Sequence, residues 1–127
     1  MNWKYVKPIT LENIAHVEEK VGYQLPDNLK AVILENNNGR PERDCFDTEI
    51  NQGLQFKQLL SFNDNDEENI YTYIDLIKKE KIFPFADDPA GNLICIDHEK
   101  IILWNHETNE KEFIAKSLEE FINNLYE

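Results

Sequence analysis

The run FPFADDPAGNLICIDHEKIILWN, residues 83–105, constrains the fold more than any other part of the chain. In NLICID, Leu93 and Cys95 face one side of an extended chain and Ile94 and Ile96 the other, so both alternating sets are apolar. KIILWN repeats the pattern. A strand that is apolar on both sides must be covered on both, which puts these runs in the middle of a sheet. IFPF before them and EFIA after them are further short apolar runs. The tight turns between the four point to antiparallel pairing rather than crossover connections.

Asp88-Pro89-Ala90-Gly91 has the chemistry of a hairpin turn. Asp accepts bonds from backbone N–H groups, Pro presets φ, and Gly takes a positive φ. The same region holds paired aspartates, a cysteine and a histidine, which invites a catalytic or metal reading. Its parts do not combine. Asp87 and Asp88 are neighbours on an extended chain and point opposite ways. Cys95 sits in an apolar run and reads as a small buried hydrophobe. No G-x-S-x-G elbow is present. His98 and His106 fit no metal-ligand spacing. DNDEEN, Asp64 to Asn69, matches a calcium loop only in its first three residues. The glycines, Gly22, Gly39, Gly53 and Gly91, form no phosphate cradle. No catalytic residue, metal site or cofactor is therefore expected.

Helices frame these strands. Thr10 reads as an N-cap, with Leu11, Ile14, Ala15, Glu18 and Val21 on one face and Gly22 as the stop. A second helix is expected to start near Pro26, whose fixed φ suits a first turn, with Leu29, Val32, Ile33 and Asn36 on one side and Asn36–Gly39 ending it. β-like pieces follow around Cys45 and Phe46 and in LQFKQLLSF. NDNDEENIYTYIDLIKKE is acidic at its start and basic at its end, as a helix dipole favours; Ile70, Tyr73, Ile74 and Ile77 form its apolar stripe. Ser117-Leu118-Glu119-Glu120 fits a capping box, opening a last helix that buries Leu118, Phe121, Ile122 and Leu125. The order predicts one α+β domain over residues 1–127, with a mainly antiparallel sheet flanked by about four helices.

Charge narrows the function. Thirteen Lys and Arg stand against 25 Asp and Glu, a net charge of −12. That excludes nucleic acid as a direct ligand and anionic membrane as a surface, and it suits a basic protein partner. Solubility alone accounts for the same charge equally well. Cys45 and Cys95 form no CxxC pair, and no disulfide framework is expected. MNWKYVKPIT has no apolar h-region, and no 18-residue apolar window occurs, so the expectation is a cytoplasmic protein.

Four segments together resemble the SUKH superfamily, also called the SMI1/KNR4 family. YQLPDNLKAVILENNNGRP, Tyr23 to Pro41, is similar to its Leu-Pro, helix and Asn-Gly pattern. CFDTEINQGLQFKQLLSFND carries its Phe and LLSF run, and FPFADDPAGNLICID its Pro-Phe-Ala, aspartate, glycine and apolar strand. ILWNHETNEKEFIAKSLEEFINNL carries the Trp-x-His-Glu pair, the Ala-x-Ser-Leu-x-x-Phe run and the final helix. The likeness extends from about Thr10 to Leu125. Pro89-Ala90 departs from it, since many relatives carry glycine or serine there.

The resemblance implies a single α+β domain with no enzymatic activity. Bacterial members are similar to immunity proteins, which bind and neutralise a cognate toxin, often a nuclease, encoded beside them. Fungal members are regulators of cell-wall synthesis and signalling. The short chain favours the bacterial type; the alternative is a regulatory scaffold for a cellular partner. An inhibitor this acidic suits the basic cleft of a nuclease toxin. Its candidate partner-binding residues are Asp64, Asp66, Glu67 and Glu68 in one cluster and Asp87 and Asp88 in another, with Tyr71 and Trp104 as aromatic anchors. The carboxylates read equally as a solvated face or helix cap, and the aromatics as core.

Overall fold

In the computed structural model, which describes residues 1–105 and 107–127, the doubly apolar runs build the sheet as their pattern dictates. In chain order the elements are β1 (Trp3–Lys4), α1 (Leu11–Val21), α2 (Asp27–Asn36), β2 (Arg40–Pro41), β3 (Cys45–Phe46), β4 (Leu54–Gln55) and β5 (Gln58–Leu59). A 3-10 turn (Ile70–Tyr73) then runs into α3 (Ile74–Glu80). β6 (Phe83–Asp87), β7 (Leu93–Asp97), β8 (Lys100–Asn105), β9 (Glu110–Ala115) and α4 (Leu118–Asn123) complete the chain. The main sheet runs β5-β6-β7-β8-β9 with every pairing antiparallel. The fold is α+β, as the sequence predicts.

The two faces of β7 and β8 enter two cores. Ile94, Ile96, Ile101 and Leu103 join the large cluster with α1, α2 and α4. Leu93, Cys95, Ile102 and Trp104 form a smaller one, covered by Tyr73 and Leu76. Pro84 stands beside a register shift in the β6–β7 pairing, where its missing N–H disturbs the ladder least. Phe121 of α4 knits the large core together, its ring lying 5.6 Å from Phe46, 5.9 Å from Phe56 and 6.2 Å from Phe85.

The helix ends follow local chemistry with three corrections. Thr10 caps α1, exchanging bonds with Asn13, and Gly22 stops it at φ 88°. Its buried face, however, is Ile14, Val17 and Val21; Leu11 is 68% exposed and Ala15 lies outside. Glu18 tolerates that boundary because its Oε2 accepts the Leu25 N–H at 2.7 Å and pairs with Lys30 at 3.3 Å. Pro26 is the N-cap of α2 rather than its first residue. The third correction concerns DNDEEN, which is loop: helical structure starts only at Ile70. There the carboxylates of Asp66 and Glu68 bond to Ser61, Lys7 and Lys57 instead of facing a helix end. In α4, Ser117 accepts the Glu120 N–H as expected, but Glu120 reaches back to the N–H of Lys116, one residue before the cap.

Asn37, fully buried at the end of α2, ties three segments together. Its amide donates to Lys7 O (3.1 Å) and Ser61 Oγ (3.0 Å) and accepts the Phe62 N–H (2.8 Å). Gly39 is required two residues on, since a Cβ there would meet Asn36 O at 2.6 Å.

Removing the Phe121 ring leaves a void that three other rings cannot close. Phe121→Ala is expected to cost about 3–5 kcal/mol, read from the denaturant midpoint; a loss below about 1 kcal/mol would contradict the packing described.

Candidate functional site

The loop over residues 63–69 and the β6–β7 hairpin, separate acidic clusters in the sequence, lie against each other. Ser61 anchors the loop: its N–H donates to Glu68 O and its C=O accepts the Ile70 N–H, both at 2.9 Å. Asp66 accepts from Lys7 at 2.9 Å and from the Ser61 hydroxyl. Burial raises its pKa, but the bonds from Ser61 and Lys7 outweigh burial and hold the carboxyl below its ordinary range.

Glu68 reaches the end of β6 and meets Asp87. Asp87 is 7% exposed. Burial first, then the bond to Glu68 and its charge, push its pKa up to about 8. Glu68 moves the other way: the bond from Asp87, aided by Lys57, holds it low. Asp87 thus keeps its proton at neutral pH and donates it to the Glu68 carboxylate. Glu68 Oε2 and Asp87 Oδ1 are shut off from solvent and meet no fixed donor among the described residues, a cost that a proton shared between the two carboxyls offsets. Lys57 pairs with Glu68, Arg40 adds positive charge, and Tyr73 lies close by.

Two shallow hollows flank the pair. One, of about 420 Å3, is lined by Tyr5, Lys7, Asn38, Arg40 and Gln58; the other, of about 270 Å3, by Thr72, Tyr73, Pro89 and Gly91, with Lys57, Glu67 and Glu68 between them. Carboxyls whose pKa values are driven apart also occur as acid–base pairs in enzymes. Here the pair links the 63–69 loop to the end of β6.

The remaining sequence-derived residues are dispersed. Asp88 is 6% exposed and serves the turn, its Oδ1 accepting the N–H groups of Ala90 (3.0 Å) and Asn92 (2.8 Å). Asp64 and Glu67 are exposed. Tyr71 is half-buried, 5.8 Å from the His16 ring, with burial and the charge of Asp64 raising its pKa. Trp104 takes the core reading: it is 1% exposed and its Nε1 donates to Asn109 at 3.0 Å. His98 is exposed in the β7–β8 turn, and His106 lies outside the described residues. Among the described residues no three His, Cys, Asp or Glu side chains gather as a metal site. Lys57 and Arg40 were missed by sequence reasoning; the one signal was Lys57 interrupting the apolar run LQFKQLL.

Comparison with known proteins adds one match. The sequence model described as the SMI1 / KNR4 family (SUKH-1) matches residues 8–124. No curated protein and no solved structure matches the chain.

The carboxyl pair makes stability depend on pH. An unfolded aspartate titrates near about 3.9, and folded Asp87 at about 8. Between these values the folded state holds the extra proton, so Asp87's contribution is full below the lower value and is lost as pH rises through the upper. Glu68, held low, acts oppositely and only in acid. Asp87→Asn keeps a donor for Glu68 and removes this dependence. Its melting temperature is expected to fall less than the wild type's between about pH 5 and about pH 8; parallel profiles would contradict the shared proton.

Proposed function

The chain belongs to the SMI1/KNR4 family (SUKH-1), and from that premise we propose that it is an immunity protein. In this reading the whole chain acts as one domain in the bacterial cytoplasm, binding a cognate toxin domain, a basic nuclease, without catalysis or cofactor. The family match over residues 8–124 carries the reading, and charge supplies its mechanism.

The net charge of −12 is weakly compensated within the protein. Ion pairs among the described residues engage Glu18, Asp27, Asp66, Glu68 and Asp97, leaving most of the 25 carboxylates to solvent or neutral donors. Such a field draws a cationic surface from a distance of about 8 Å at physiological salt. A nuclease must hold phosphates and presents that surface. Exposed Asp64 and Glu67, with Tyr71 beside them, contribute to the attraction. No helix among the described residues is long and apolar enough to cross a membrane.

Co-expression with the toxin domain encoded beside the gene tests the reading. Growth is expected to recover and a one-to-one complex to form, with association slowing on the order of tenfold or more as salt rises from about 50 to about 500 mM. No protection and no complex would contradict it and leave the scaffold for a cellular partner as the function.

A further inference from the structure

At the edge of the sheet opposite β5 lies a face with a different chemistry. β9 is the outer strand, and the segment after β3 folds over it. The Glu49 N–H donates to Phe113 O at 2.9 Å, and the Phe113 N–H returns to Glu49 Oε1 at 3.1 Å. Glu112 Oε1 accepts from Thr48 Oγ1 at 2.6 Å and Asn51 Nδ2 at 2.8 Å. Asp47 Oδ1 accepts from the Tyr126 hydroxyl at 2.6 Å and the Gly53 N–H at 2.9 Å. A hollow of about 370 Å3 opens between these groups, with Phe113 and Tyr126 on its wall. Apolar surface stands out around it: Ile50 is 71% exposed, Tyr126 40% and Phe113 36%.

The three carboxylates differ from those of the 63–69 loop. Asp66 and Glu68 are answered by Lys7 and Lys57. Asp47, Glu49 and Glu112 are ordered by neutral donors, and none has an ion-pair partner among the described residues. Their hydrogen bonds fix them before any partner arrives, which lowers the entropic cost of binding. The bonds from Tyr126 and Gly53 hold the Asp47 carboxyl below its ordinary range. Aromatic and aliphatic surface ringed by fixed charge has the make-up of an interface centre and rim.

We propose that this face, formed by Ile50, Phe113 and Tyr126 with Asp47, Glu49 and Glu112, is where a lysine- and arginine-rich protein surface docks. The stems of those cations pack on the apolar groups while their heads meet the carboxylates. The proposal rests on the reading of the chain as an inhibitor of a basic toxin domain, and it assigns contact to the β9 edge and steering to the 63–69 loop.

Binding of the toxin domain encoded beside the gene is measured for the wild type and three variants. Ile50→Arg breaks none of the bonds above, since Ile50 contributes only its backbone N–H to the loop. Glu49→Lys/Glu112→Lys reverses two rim charges, and Asp64→Lys/Glu67→Lys does the same on the exposed loop. Ile50→Arg and the rim variant are expected to weaken binding about 100-fold or more with the Ile50→Arg melting temperature unchanged; the loop variant slows association and alters affinity less than about tenfold. If the wild type binds and protects while Ile50→Arg binds as tightly, the face is wrong and the immunity role stands. If the wild type neither binds nor protects, both fall.

Discussion

Strands that are apolar on both sides decide where everything else can go. β7 and β8 send one set of side chains into the large core and the other into the small one, so neither face of these two strands is left for solvent. Charge is displaced to turns, loops and edge strands. β9 carries Glu110, Lys111 and Glu112 because it is the outer strand. With a net charge of −12 to place, the periphery becomes strongly anionic as a consequence of the core. The chemistry open to the protein is then set at its rim, on a scaffold whose interior is fixed by packing.

Polar groups that do enter the interior are bound to one another. Asn37 joins the N-terminal segment, the end of α2 and the chain after β5. Asp88 closes the hairpin on its own backbone, and Asp87 shares a proton with Glu68. Leaving any of these groups unpaired would cost on the order of 1–3 kcal/mol, so each specifies one loop arrangement. The carboxyl pair does the same for the 63–69 loop, with the added effect that its hold depends on pH.

Local signals in the sequence carried the sheet, the hairpin at Asp88–Gly91 and the caps at Thr10 and Ser117, because each depends on residues a few positions apart. Long-range bonds were not legible. The helical spacing places Glu18 on the face of Leu11, Ile14 and Ala15; the bonds that hold it at the edge of the buried face instead come from Leu25 and Lys30, which belong to later segments. DNDEEN looked like a helix start because the cations and hydroxyl that hold it, Lys7, Lys57 and Ser61, lie elsewhere in the chain. Trp104 read as either anchor or core, and burial between strands and α3 decided for core. The Asp47–Tyr126 bond spans 79 positions, so no spacing rule could have drawn the β9 face together.

These features suit the proposed role, in which the protein occupies a partner rather than transforming it. For that role, stoichiometry is the distinguishing property. The sharpest measurement is a titration of the toxin domain's activity with the purified protein at concentrations well above their dissociation constant. The account predicts a linear fall that reaches zero at one equivalent and does not deepen with time. Complete inactivation by a small fraction of an equivalent would show turnover and contradict it.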